Sequence, residues 1–296
     1  MQERKALRAL LKTGVPFVAA GVYNPMSALI AQSVGFKAVH MDGHSLGDQL
    51  GIGEALTTMT EFVAQAASIT KVIKVPLICD AGGGFGDAVN LVRCVREFEF
   101  AGASGIHIED QVTPKRVSYH RGVSHVVPLE DFLVKLRVAL EARSDPDFVI
   151  IARTDVCSKE KPVTPGSLQE VIRRCQAFVK AGADAIAPTR IYETPENLKI
   201  LRAQVPNVPI VQSGLSLKEA QELGVQIVVP NIMSTLVVSK ALQDYYKKVL
   251  ESGNDSDKIA IPPETLQMKS KLMEMIGLPK LWKIEEASTE RDSKYR

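Results

Sequence analysis

The stretch PLICDAGGGFGDAVN, at positions 76–90, is the segment of this sequence that decides the fold. A short apolar run ends in Asp80, four glycines follow within positions 82–86, and a helical pattern begins after them. A buried strand that ends in a carboxylate and leads into a helix predicts a β/α unit with a chemically active group at the strand's end. Because they lack side chains, the glycines at 82–84 allow a loop to fold closely over a small ligand.

The same strand-then-helix pattern recurs along most of the chain. Continuous apolar strands flanked by helices predict a parallel sheet that is covered on both faces. The predicted strands lie near 16–22, 37–42, 75–80, 105–110, 147–155, 184–189, 208–213 and 225–230. The predicted helices lie around 26–35, 58–73, 87–102, 129–143, 167–181, 195–204, 216–223 and 232–251.

Four of the helix-to-strand junctions share one glycine pattern: SVGFKAV, FAGASGI, KAGADAI and ELGVQIV. A glycine at the helix C-terminus favours a left-handed cap. Eight such units in about 250 residues predict a (β/α)8 TIM barrel. A doubly wound open sheet is the alternative, but it usually has a glycine-rich phosphate loop after its first strand, where this chain has VYNP at 22–25. We expect a barrel over residues 1–251 and a C-terminal helical extension and tail over 252–296, with a helix at about 263–276.

Composition excludes several classes of function. The chain has 296 residues, of which 45% are hydrophobic and 24% are charged, and a formal net charge of only +2. Bulk electrostatics therefore indicate neither a nucleic-acid nor a membrane partner. The four cysteines fit no zinc or redox spacing, and the charged amphipathic N-terminus lacks a signal-peptide core. These features predict a soluble, cytoplasmic protein.

Charged residues collect where the predicted strands end. The carboxylates Asp42, Asp80 and Glu109 end strands two, three and four, which would share one mouth of the barrel. Like charges this crowded repel unless a cation or a shared proton joins them, and hard oxygen ligands suit Mg²⁺ or Mn²⁺. The alternative for each single acid is that it caps the helix that follows. Arg153 and Arg190 follow the fifth and sixth strands and add positive charge at the same end.

Several linked motifs resemble those of the isocitrate lyase/phosphoenolpyruvate mutase superfamily. They are ICDAGGGFG at 78–86 with Asn90, GIHIEDQ at 105–111 with PKR at 114–116, and IARTD at 151–155. The resemblance runs in order from about residue 15 to 250. It implies a (β/α)8 barrel with a terminal helix exchanged between the subunits of a dimer or tetramer. It also implies Mg²⁺-assisted making or breaking of a C–C or P–C bond next to a 2-oxo acid or its enolate.

The resemblance assigns roles to individual positions. Asp80 resembles the direct metal ligand, Glu109 the residue that holds metal-bound water, and Arg153 the residue that pairs with a substrate carboxylate. A bidentate guanidinium suits such a planar anion. The other substrate-binding candidates are Asp42, the backbone amides of Gly43 and His44 in the turn after strand two, and the strand histidine His107.

The sequence also departs from the superfamily pattern. A second acid is expected at position 82, where this chain has glycine, and Glu54 replaces an aspartate. Asp42 stands where a serine or small residue is usual. We therefore expect Asp42 to replace part of the lost carboxylate by holding a metal water. The alternative is that Asp42 only caps a helix or loop.

The lid loop of the superfamily's lyases usually carries a cysteine as general acid, which this chain lacks. In the corresponding run, KRVSYH at 115–120, Lys115 and Arg116 are catalytic candidates, Tyr119 is the expected proton donor and His120 its neighbour. The alternative is that the proton comes from water.

Together these features predict a Mg²⁺-dependent lyase or decarboxylase. It would cleave a C–C bond of a malate-like or 2-oxo dicarboxylic acid through an enolate. We expect a homo-oligomer, as a dimer of dimers. The alternatives are a phosphonate mutase or hydrolase of the same superfamily, and a non-catalytic relative that binds a dicarboxylate.

Overall fold

The computed structural model describes residues 1–113, 115, 126–158, 162–230, 232–253 and 262–288. Its eight strands form a single parallel sheet in the order β6-β5-β4-β3-β2-β1-β8-β7. A parallel bridge between Ile186 and Ile210 joins the two ends of that order, so the sheet closes into a barrel. The predicted (β/α)8 TIM barrel is confirmed. The strands are β1 Phe17–Gly21, β2 Ala38–Met41, β3 Leu77–Asp80, β4 Gly105–Glu109, β5 Val149–Thr154, β6 Ala185–Pro188, β7 Val211–Gln212 and β8 Ile227–Val228.

The helices follow the strands as predicted, and the glycines of all four junctions have left-handed φ values. The helices are α1 Gln2–Lys12, α2 Pro25–Val34, α3 Gly43–Leu50, α4 Met59–Thr70, α5 Ala88–Phe100, α6 Leu129–Ala142, α7 Pro165–Ala181, α8 Pro195–Gln204, α9 Leu217–Leu223, α10 Met233–Ser252, α11 Pro263–Met275 and α12 Leu278–Ala287. Short 3-10 turns lie at Glu54–Leu56 and Ile191–Glu193. Sequence patterns predicted neither α3 nor α12.

Two apolar layers hold the barrel together. The larger lies between the strands and the helices, and the smaller fills the barrel interior. Side chains alternate between the layers along each strand: Ala38 belongs to the interior layer and Val39 to the outer one, and Ile151 and Ile150 divide in the same way. Leu7 of α1, which is fully buried, belongs to the interior layer.

The chain divides into two compact units, Met1–Thr235 and Leu236–Arg296. The second unit contains α11 and α12, which contact one another and bury no residue of their own. The predicted domain boundary at residue 251 stays a prediction. Among the described residues, no helix combines the length and the apolar character that crossing a bilayer requires.

Candidate active site

The site lies at the C-terminal end of the barrel, one layer above the apolar interior. Strand alternation puts the residue two positions beyond an interior apolar side chain on the same face. Ala38 is thus followed by His40, Ile78 by Asp80, and Ile151 by Arg153. The strand register aligns these side chains across neighbouring strands, since Asp80 pairs with His107 and Glu109 with Arg153. The fold therefore brings the strand-end residues together, as the sequence predicted.

Three carboxylates surround one ammonium at the centre of the site. Lys115 Nζ lies 2.6 Å from Glu54 Oε1, 3.1 Å from Glu109 Oε1 and 3.2 Å from Asp80 Oδ2. Asp80 and Glu109 are almost fully buried, and the Lys115 side chain is only 15% exposed. Asp80 Oδ1 also accepts a hydrogen bond from Gly82 N at 2.7 Å. The arrangement stabilises a positive charge at the point where the three carboxylates meet.

The two buried acids of this cluster differ in protonation. Burial alone would raise the pKa of Asp80, but Lys115, His107, Arg153 and the Gly82 amide together hold that pKa well below its usual range. Burial raises the pKa of Glu109 to about 8, although Arg153 and Lys115 oppose the shift. Neither carboxylate oxygen of Glu109 accepts a hydrogen bond among the described residues. Asp80 is therefore a fixed anion, while the charge of Glu109 depends on the cations around it.

Arg153 projects from the end of β5 into the same cluster. Its Nη1 lies 3.1 Å from Glu109 Oε2 and 3.7 Å from Asp80 Oδ2, and its Nε donates to Asp155 Oδ1 at 3.0 Å. The neighbouring carboxylates raise the pKa of Arg153 well above its usual value, so it is a permanent cation. Its side chain is 22% exposed, which leaves part of the guanidinium accessible to a ligand.

Asp155 fixes the orientation of Arg153. The Asp155 side chain is fully buried. Its Oδ2 accepts a hydrogen bond from Gln111 Nε2 at 2.7 Å. The hydroxyl of Thr189 donates to Oδ1. The backbone of Asp155 is held as well, because its amide donates a hydrogen bond to Asp110 Oδ1 at 2.9 Å. The sequence located Asp155 at a strand end but assigned it no role.

A pair of buried histidines forms part of the cavity wall. His40 Nε2 and His107 Nε2 are 2.8 Å apart, and the rings are nearly parallel. Burial lowers the pKa of both, to about 3 for His107, so both rings are neutral at neutral pH. One Nε2 must then donate to the other. His107 Nδ1 also lies 3.8 Å from Asp80 Oδ1. Sequence reasoning identified His107 but missed His40.

The turn after β2 forms the first turn of α3. Asp42 is its N-cap: Oδ1 accepts from Ser45 N at 2.8 Å, and Oδ2 from Ser45 Oγ at 2.7 Å. This is the contact that the capping alternative predicts, and a role for Asp42 in metal binding stays a prediction. Gly43 packs against Glu54, because a Cβ at position 43 would lie 2.5 Å from Glu54 Oε1. His44 Nε2 lies 3.6 Å from Asp48 Oδ1.

A cavity of about 490 Å³ opens above this cluster. Its wall includes the predicted residues Asp42, Gly43, His44, Asp80, His107, Lys115 and Arg153, together with Arg190 and Tyr192. Of the remaining catalytic candidates, Arg116, Tyr119 and His120 lie outside the described residues.

Comparison with proteins of known sequence shows which family the chain belongs to. The sequence profile described as phosphoenolpyruvate phosphomutase matches residues 7–250. The chain belongs to this family. It is 34% identical to a 2,3-dimethylmalate lyase of Eubacterium barkeri, over 96% of this chain and 98% of the relative. It is also 34% identical to an oxaloacetate decarboxylase of Pseudomonas putida strain GB-1, over 87% of this chain and 88% of the relative.

Among solved structures, a phosphonopyruvate hydrolase in complex with oxalate and Mg²⁺ superposes with a TM-score of 0.81. That protein is 29% identical, and the match covers 97% of this chain and 99% of its own. The predicted superfamily is thereby confirmed. The matches span nearly the full length of these relatives, so the shared part is the whole barrel and not a fragment of it.

Proposed function

We propose that this protein is a Mg²⁺-dependent lyase or decarboxylase that cleaves a C–C bond of a malate-like or 2-oxo dicarboxylic acid through an enolate. The observation that carries the proposal is the cluster of Asp80, Glu109 and Glu54 around one cationic point, with Arg153 beside it. The relatives named as a lyase and a decarboxylase support the same class of reaction.

The residues of the cluster fit a divalent cation. Lys115 Nζ stands where several carboxylate oxygens converge within 2.6–3.2 Å, which marks the position of a bound positive charge. Among the described residues, no three of His, Cys, Asp and Glu converge tightly enough to ligate a metal directly. Mg²⁺ suits such a site, because it is usually bound by one or two protein carboxylates and keeps several waters. Asp80 and Glu109 would hold it.

A divalent cation there would stabilise the negative charge of an enolate oxygen. The chain's own residues bind and orient the substrate. Arg153 binds the substrate carboxylate next to the reacting carbon, and Asp155 keeps the guanidinium in the required plane. The amides of Gly43 and His44, in the first turn of α3, donate to the same anion. Arg190, which lies in the wall of the same cavity and pairs with Glu193, provides a second cation for the distal carboxylate of a dicarboxylic acid.

The phosphonate alternative has weaker support from the residues. Phosphonate mutases and hydrolases of the superfamily depend on the acid expected at position 82, where this chain has glycine. Phosphonopyruvate is therefore the control substrate, and we expect the protein not to turn it over.

The test is turnover of oxaloacetate and substituted malates with Mg²⁺ and, separately, with EDTA. We expect C–C cleavage that requires Mg²⁺ and that is lost in the Asp80→Ala variant while its fold is retained. Asp87→Asn is the matched control, since Asp87 caps α5 and is not part of the cavity wall, and it should retain activity. An active Asp80→Ala enzyme contradicts the metal assignment. Binding of oxalate without turnover of any acid favours the non-catalytic alternative.

We also propose that the protein assembles into a homo-oligomer. Large apolar side chains are exposed on the helices of the second unit, among them Leu250, Leu266, Trp282 and Ile284. Exposed apolar side chains of this size favour a protein contact when they form a patch. Sedimentation measurements would test this, with a tetramer expected and a monomer contradicting the proposal.

A further inference from the structure

Lys115 is bound in the centre of the site in the way that a metal ion would be. Its ammonium contacts one oxygen from each of Glu54, Asp80 and Glu109 at 2.6–3.2 Å. The ammonium is the shared ion-pair partner of all three carboxylates. The lysine and a divalent cation would therefore compete for the same oxygens.

The lysine stem lies beside the position where the superfamily's acid is missing. A Cβ built on Gly82 would have Lys115 Cδ as its nearest neighbour, at 4.0 Å. An acidic side chain at 82 would fill the space next to that stem. The glycine at 82 and the ammonium at the centre thus agree in charge: position 82 adds no carboxylate beside the lysine, and the lysine neutralises the acids that remain.

We propose that Lys115 occupies the place of the divalent cation in the metal-free protein, and that the metal binds only by displacing it. Two cations cannot share one point in a partly desolvated site, because their repulsion there is weakly screened. Lys115 therefore lowers the affinity for the metal and keeps the carboxylate cluster stable without it. This inference rests on the proposed function, because it assumes that a metal binds at this cluster.

The first test compares metal affinities without substrate, by calorimetry or by the electron paramagnetic resonance of Mn²⁺. Because Lys115→Met removes the competing charge, it should tighten Mn²⁺ binding by about tenfold or more. Lys115→Arg, which keeps the charge, should not. Lys135→Met is the matched control: Lys135 is half-buried beside the same glycine loop but donates to the carbonyl oxygens of Gly83 and Gly86 at 2.9 and 2.7 Å. An equal gain in that variant would show a general charge effect and overturn the inference.

A second measurement uses the unmodified chain, so it does not depend on the folding of a variant. An amine-reactive reagent should modify Lys115 faster when Mn²⁺ is present, because the displaced ammonium becomes accessible; mass spectrometry measures the rate. A rate that stays the same or falls overturns the inference. If the parent protein binds Mn²⁺ and Lys115→Met binds it no more tightly, only this inference fails. If neither protein binds Mn²⁺, the metal dependence of the proposed function fails as well.

Discussion

Asp155→Asn tests whether the orientation of Arg153 determines anion binding. Asp155 is surrounded by donors: Arg153 Nε reaches Oδ1 at 3.0 Å, and Gln111 Nε2 reaches Oδ2 at 2.7 Å. An asparagine keeps one acceptor oxygen and replaces the other with an NH₂ group. Whichever way the amide turns, its nitrogen faces a donor on one side. Arg153 then loses either its acceptor or the charge that attracts it.

The expected loss follows from the kind of bond that is broken. A hydrogen bond to a charged group contributes about 1.5–3 kcal/mol. Each 1.36 kcal/mol corresponds to about one decade in an equilibrium constant, so the affinity for a carboxylate ligand should fall by about 10- to 150-fold. Calorimetric titration with oxalate in saturating Mg²⁺ measures this without knowledge of the substrate. The variant should also lose about 3 kcal/mol of unfolding free energy, the lower end of the range for a broken buried ion pair, because the Arg153 side chain is partly exposed.

Asp184→Asn is the control that separates the effect on the orientation of Arg153 from a general loss of folding stability. Asp184 lies just before β6, at the opposite end of the barrel, and it pairs with Arg8 at 2.6 Å and with Arg143 at 2.7 Å. Its loss should lower stability to a similar extent, but oxalate affinity should stay within about twofold, since distant sites act independently. If Asp155→Asn binds oxalate as tightly as the parent, or if Asp184→Asn weakens binding equally, the positioning role is refuted.

Three further predictions concern the proton donor, pH and the missing acid. Tyr119→Phe should lower turnover by at least about tenfold through loss of a general acid, with Mg²⁺ affinity unchanged by calorimetry; parent-like turnover would exclude the tyrosine. Glu109 has a folded-state pKa of about 8, raised from 4.5, so the folded protein binds the extra proton and should lose stability as pH rises from about 4.5 to 8. In EDTA, urea unfolding should show this loss, on the order of 5 kcal/mol (about 3.5 pKa units at about 1.36 kcal/mol each), in the parent but not in Glu109→Gln. Gly82→Asp should bind Mn²⁺ about tenfold more tightly than the neutral Gly82→Asn, because an added carboxylate favours a divalent cation over an ammonium; equal affinities would contradict this.

The sequence predicted the barrel well because its signals are local and repeated. Each of the eight strands is a short apolar run, and several of the predicted helices have their own boundary signals, such as the glycine at position 182. Helix α3 was missed because its sequence, GHSLGDQL, contains two glycines and has no apolar periodicity. It forms nevertheless, because Asp42 caps its start and Gly51, at φ +71°, ends it.

The site was predictable where it depends on strand ends and hidden where it depends on loops. Asp80, Glu109 and Arg153 end adjacent strands, so the fold alone brings them together. His40 could have been found by the same alternation that puts it above Ala38, but a single histidine in a strand is usually a core residue. The contact of Glu54 with Lys115 had no sequence signal, because both residues lie outside the strands and meet only through the path of their loops.

The departures from the superfamily pattern are better explained as a redistribution of charge than as its loss. The acid is absent at 82, and Asp42 is used in a helix cap, yet Glu54 reaches the centre with a side chain one methylene longer than the aspartate it replaces. The cluster therefore retains three carboxylates, and two of them are almost fully buried. Ionising a buried carboxyl group costs stability even beside Lys115 and Arg153, as the raised pKa of Glu109 illustrates. A chain that had lost its function would gain stability by replacing these acids with apolar residues, and their presence together with Arg153 and Lys115 favours an active metal-dependent site over a degenerate one.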